Sequence, residues 1–134
     1  MKILNIVLRV ILCLILVSPI LGVLGVFPAP TRDLYNTDEA FAFIMFTMES
    51  AWYIGTTISI VFAAALVLTI MKRTALAALL LLPITVNILS FHAFLDGGLF
   101  TSGAILAWIL ALLNAYFLWQ NKAQYKVLWE KSRV

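Results

Sequence analysis

Ionisable side chains inside long apolar runs are expensive, about 2.5 to 3.5 kcal/mol each at the centre of a bilayer-spanning helix on insertion scales, so they are the first places to look for chemistry. In this chain they are Arg9, Glu49 and His92. His92 is followed four residues later by Asp96, a spacing that brings two side chains together on one face of a helix. A carboxylate at that distance favours a protonated imidazole, as a proton relay or a quinone-binding site requires. The same pair can equally serve as a structural hydrogen bond close to a helix end. The surrounding stretch, Pro83-Ile-Thr85-Val-Asn87-Ile-Leu-Ser90-Phe-His92-Ala-Phe-Leu-Asp96, puts Thr85, His92 and Asp96 on one helical face and Asn87 and Ser90 on another. One helix is thereby able to face a cavity and a neighbour at once.

Glu49 opens a polar and aromatic stripe with Trp52, Tyr53, Thr56 and Ser59. It reads either as one wall of an outer pocket shared with His92 and Asn87, or as a solvated first-turn carboxylate that suits the helix dipole. Arg9 lies about two turns into the first apolar run, with its backbone roughly 9 Å below the helix start. Its long side chain can snorkel to water, hydrogen-bond Asn114 at a similar depth, or hold an anionic or carbonyl headgroup. The candidate ligand-binding residues are therefore Asn87, His92, Asp96, Glu49 and Arg9.

Other chemistries are excluded by residue type. One histidine cannot supply bis-histidine haem ligation, and no cluster offers the three or four ligands of a zinc site. No Gly-rich phosphate loop, GxSxG or CxxC is present, so no catalytic residue is assigned and no intrinsic cofactor is expected. The lone Cys13 sits in an apolar run and reads as a small buried hydrophobe.

The elements that must position these residues are helices. Of 134 residues, 64% are hydrophobic and 11% charged, against roughly 45 to 50% and about 25% in soluble domains. Four runs reach the 20 or so residues needed to cross a bilayer: about Ile3 to Phe27, Glu49 to Met71, Thr74 to Leu95 and Phe100 to Gln120. The first ends at Pro28-Ala-Pro30, and its apolar stretch is longer than the core of a cleaved leader, so it is expected to be retained. The segment Ala40 to Met48 either begins the second helix early or lies along the interface. Pro83 is expected to kink the third span, with Thr85 or a neighbouring helix satisfying a freed carbonyl. Residues 121–134 form a basic interfacial tail.

Lys2, Lys72, Arg73, Lys122, Lys126, Lys131 and Arg133 fall on one side of these spans, and Arg32 alone occupies the other loops. The basic side is predicted to be cytoplasmic. Backbone groups in hydrocarbon must pair within their own segment, so short connections imply an antiparallel four-helix bundle with both termini inside, spanning residues 1–134 as one domain. The net charge of +3 is absorbed by this topology and implies no nucleic-acid partner.

These residues resemble the DoxX-like family of small membrane proteins. The likeness rests on Leu8-Arg9, the Phe27-Pro28-Ala-Pro30 exit, the stretch from Leu82 to Asp96, and Asn114-Ala-Tyr116 through Trp119 followed by Tyr125. It implies a four-helix bundle in a prokaryotic plasma membrane, association with quinone-linked redox chemistry, and a role for Arg9, Asn87 and His92. The chain departs from the pattern in the second span, where relatives often carry a lysine and a glutamate one turn apart but Ile54 to Leu68 has only Thr56, Thr57 and Ser59 as polar residues. The leading expectation is a non-catalytic subunit or a bundle binding a small lipophile, quinone or lipid. The alternatives are a membrane component of an oxidoreductase with a redox partner subunit, or a small transporter acting as a homo-oligomer.

Overall fold

The computed structural model describes residues 1–130, with the backbone alone at Trp129. Lys131 and Arg133, counted above among the basic residues of the tail, lie outside the described residues, as does the Trp129 side chain. The chain is built of helices: α1 (Lys2–Val23), α2 (Asp38–Glu49), α3 (Trp52–Ile70), α4 (Thr74–Phe94), α5 (Ile105–Gln120) and α6 (Lys122–Trp129), with single 3-10 turns at Arg32–Leu34 and Ser102–Ala104.

Three boundaries differ from the sequence reading: the fourth span starts with the 3-10 turn Ser102–Ala104 and α5 rather than at Phe100, and the other two differ for a local reason. Helix α1 stops at Val23 rather than at Phe27, because Gly25 takes φ 75° and the chain closes on itself, with Val26 N–H donating to Leu21 O at 3.0 Å. That left-handed turn ends the helix before the prolines can. The second expectation placed Glu49 in the first turn of the second span. Instead Asp38–Glu49 is a helix of its own, and α3 begins only at Trp52. Thr37 caps α2 by accepting from Ala40 N–H at 3.1 Å, and Asp38 and Glu39 occupy the first turn where carboxylates suit the dipole. Glu49 thus stands at the opposite, electronegative end of α2, exposed.

Four helical stretches are long and apolar enough to cross a membrane: Lys2–Val23, Trp52–Ile70, Thr74–Phe94 and Ser102–Gln120. At 1.5 Å per residue they measure about 28 to 33 Å, close to the roughly 30 Å of a hydrocarbon core. Large apolar side chains cover their outer surfaces, for example Leu14, Ile60 and Leu112 at 68%, 64% and 65% exposure. In water such a surface would aggregate; surrounded by lipid it is at home. These features fit a multi-pass membrane protein.

Helix α1 packs along α3, α3 along α4 and α4 along α5, while α1 meets α5 more sparingly. The shared core holds Leu12, Leu16, Phe62, Ala65, Ala78, Leu81, Leu110, Leu113 and Phe117. Alanines on α3 and α4 let the backbones approach, since association in lipid depends on close packing more than on hydrophobic transfer. The ends are tied by polar contacts. Tyr116 Oη donates to Asn5 Oδ1 at 2.6 Å, joining the end of α5 to the start of α1, and Tyr125 Oη donates to Ala75 O at 2.9 Å, folding α6 back on α4. Between α3 and α4 the chain turns within three residues. Lys72 takes φ 63° and Arg73 N–H donates to Leu68 O at 2.8 Å, a conformation that puts about 1 kcal/mol of strain on a lysine.

Candidate functional site

At the end of α4 remote from Lys72, the His92–Asp96 pair forms as the spacing predicts. His92 Nδ1 lies 2.9 Å from Asp96 Oδ2, and with the carboxylate ionised Nδ1 must carry the proton, because a carboxylate only accepts. The other half of the carboxylate is committed elsewhere. Asp96 Oδ1 accepts from Asn36 N–H at 2.8 Å, and Asn36 Nδ2 donates back to Asp96 O at 3.2 Å. Thr37 Oγ1 donates to Leu95 O while capping α2. Asp96 is 1% exposed. These bonds fasten the connection between α1 and α2 onto the end of α4, so the pair acts as a clasp.

Two glycines make room for it. Gly97 takes φ 81° in the turn after α4, and a Cβ there would lie 3.1 Å from Asn36 Cβ. A Cβ on Gly103 would lie 3.1 Å from Asp96 Oδ2 and 3.5 Å from Asn36 Nδ2. Beside the clasp, Tyr35 has its phenol pushed above the ordinary value of 10.0 by burial and then by the Asp96 carboxylate, either of which disfavours a phenolate. Arg32 pairs with Asp38 on the exposed side of the same connection.

Thr85 shares the clasp face of α4 and is buried against α5, where it meets Asn114. The Asn114 amide is assigned with its nitrogen donating to Ala78 O at 3.0 Å and its oxygen accepting from Thr85 Oγ1 at 2.9 Å and Leu82 N–H at 3.3 Å. Pro83 has no N–H to offer the preceding turn, yet α4 runs unbroken from Thr74 to Phe94. The carbonyl left without its helical donor is Leu79 O, whereas Asn114 contacts Ala78 O and Leu82 N–H beside it. The bond that Arg9 could make to Asn114 does not form, since Asn114 is spent on α4.

The opposite face of α4 is different in character. A groove of about 750 Å³ runs between α4, α3, α2 and the latter part of α1, within the range of roughly 300 to 1,000 Å³ typical of small-molecule sites. Its walls are mostly apolar, including Pro19, Val23, Phe43, Ile58, Ile84 and Phe91. Asn87 stands in this wall, exposed, and its side chain makes none of the hydrogen bonds found among the described residues. Tyr53, Thr57 and Ser59 face it from α3. No charged side chain lines the groove among the described residues.

The five candidates therefore separate. Asn87 lines the groove; His92 and Asp96 belong to the clasp, and His92 also borders a smaller cavity of about 170 Å³ with Ser18 and Ile88. Glu49 lines neither space, so neither is the pocket that one reading of the sequence placed between Glu49, His92 and Asn87; Glu49 ends α2, while the rest of its stripe, from Trp52 on, belongs to α3. Arg9 is on the first half of α1, partly buried, and its Nε is enclosed without a partner. Three residues that matter were not singled out as candidates: Asn36, Thr37 and Gly103. Thr37 before Asp38-Glu39 was a readable helix-start signal. Asn36 carried none, since its partner lies 60 positions away.

No protein-family model, curated protein or solved structure matches the chain.

Proposed function

We propose that this chain is a non-catalytic membrane bundle of DoxX-like type that holds a neutral lipophile, a quinone, in the groove beside Asn87. In this reading the four apolar helices run antiparallel across a prokaryotic plasma membrane, with Lys2, Lys72, Arg73 and Lys122 on the cytoplasmic side. The observation that carries it is the unpaired Asn87 amide in an apolar groove of ligand size. A polar side chain at that depth that answers no structural need of its own chain is disfavoured unless a ligand or partner takes its hydrogen bonds. Among the described residues the groove wall is without charge, which argues for a carbonyl-bearing neutral head over a phospholipid. Asn87 can donate to one carbonyl oxygen while the apolar walls take an isoprenoid tail.

The test is mass spectrometry of the organic extract from protein purified in mild detergent. Wild-type protein is expected to carry quinone above the level of a control membrane protein, and Asn87→Leu to lose most of it. Absence of quinone from the wild type, its full retention in Asn87→Leu, or a phospholipid in its place would each overturn this proposal.

A further inference from the structure

We infer that Arg9 and Asn5 form a phosphate-binding site at the Lys72 end of the molecule, separate from the groove. This rests on the four apolar helices crossing a membrane and not on what the groove holds. Arg9 has its Nε enclosed and without a hydrogen-bond partner, so the guanidinium is laid against the protein rather than left free to wander. Of its three nitrogens only Nε is enclosed in this way, which leaves the outer edge of the fork open to whatever surrounds α1. Among the described residues no carboxylate forms an ion pair with it. Asp33, Asp38, Glu39, Glu49 and Asp96 belong to the opposite end, and Glu130 follows α6 at an exposed position. A guanidinium about two turns inside an apolar helix, with no carboxylate paired to it among the described residues, is suited to an anion from outside the chain.

Asn5 supplies the second half of the site. It lies one turn before Arg9 on the same face of α1. Tyr116 Oη donates to Asn5 Oδ1 at 2.6 Å, which engages the acceptor side of the amide, while its Nδ2 donor makes no hydrogen bond among the described residues. The donors of Asn5 and of the Arg9 fork then follow each other along one helix face, an arrangement that suits two oxygens of one phosphate. Nearby on α5 and α6, Tyr116 packs against Trp119 at 6.4 Å between ring centroids, and Lys122 Nζ lies 5.6 Å from the Trp119 ring centroid. Amphipathic aromatics and a lysine mark the depth at which lipid headgroups sit. Arg9, snorkelling toward that level, meets phosphate. The phosphate can come from a lipid headgroup of that leaflet or from free phosphate; Tyr116 acts as a positioning residue through Asn5.

Native mass spectrometry of the detergent-solubilised protein, titrated with dioleoylphosphatidylglycerol, dioleoylglycerol and inorganic phosphate, tests the assignment. Wild-type protein is expected to bind the phosphatidylglycerol about tenfold more tightly than dioleoylglycerol, and Arg9→Gln to abolish that preference. Arg9→Lys keeps the charge but loses the fork, and is expected to retain only part of it. Tyr116→Phe should weaken phosphatidylglycerol binding while leaving dioleoylglycerol binding unchanged, an asymmetry that general loosening of the bundle would not produce. Displacement of phosphatidylglycerol by excess inorganic phosphate assigns the site to free phosphate; resistance to it assigns the site to lipid. Equal binding of the two lipids by the wild type, or an undiminished preference in Arg9→Gln protein that keeps its helical circular-dichroism spectrum, overturns the assignment. Asn87→Leu, which empties the groove in the reading above, should leave the phosphatidylglycerol preference intact, so the two proposals fail separately.

Discussion

The two faces of α4 treat polar residues in opposite ways. On one, Thr85, His92 and Asp96 are each met by a partner from another part of the chain or from their own helix: Asn114, Asp96 and Asn36. On the other, Asn87 opens onto an apolar groove with no partner among the described residues. Both faces carry residues that are disfavoured in hydrocarbon, but Asn87, unlike Ser90 beside it, whose Oγ donates to Val86 O at 2.9 Å, does not recover that free energy among the described residues. The lesson is that polarity inside a span does not by itself mark a ligand site; polarity left unanswered does.

That contrast can be broken by measuring stability in detergent, where substitutions on the clasp side should be harmful and those on the groove side should not. The largest effect is expected for Asp96→Ala, which strands Asn36 N–H and the His92 ring together. A loss of about 3 kcal/mol in unfolding free energy is expected, from two hydrogen bonds to a buried carboxylate at roughly 1.5 kcal/mol each. If thermal melting of this variant matches the wild type, the clasp contributes nothing. Gly103→Ala should follow, with a loss of about 1 kcal/mol from overpacking, because a methyl at 3.1 Å from Asp96 Oδ2 meets a carboxylate that two partners hold still. An unchanged melting temperature would mean that the turn yields freely. Asn87→Leu should alter stability least, within about 0.5 kcal/mol of the wild type or slightly more stable, since it removes an amide that has no partner among the described residues. A destabilisation as large as that of Gly103→Ala would show that Asn87 has a structural role and would erase the difference between the faces.

Much of the architecture was legible in the chain. The third span, expected over Thr74 to Leu95, forms over Thr74–Phe94, because a tight Lys72-Arg73 turn and an Asp96-Gly97-Gly98 turn bound a predominantly apolar run of spanning length. The His92–Asp96 contact was legible for the same reason, being local and fixed by helical spacing. Glu49 was misplaced because apolar periodicity runs across Ser50 and Ala51 without a strong breaker. The separate helix α2 is set by the Thr37 cap and by its packing on α3, neither of which the Glu49 side chain reveals. Asn114 was recognised as a polar residue in the fourth span, but its pairing with α4 in place of Arg9 depended on which helix lay beside it.

Composition and the period of the apolar runs determined by themselves that this chain makes four helices able to span a membrane, since peptide groups in hydrocarbon can be satisfied only by bonds within a segment. They also determined that Arg9, Asn87 and His92 would be costly wherever they fell. Only the tertiary structure decided which of these residues found a partner. A side-chain hydrogen bond such as that between Asn36 and Asp96 joins positions 60 apart, and no local pattern encodes which helices will stand side by side.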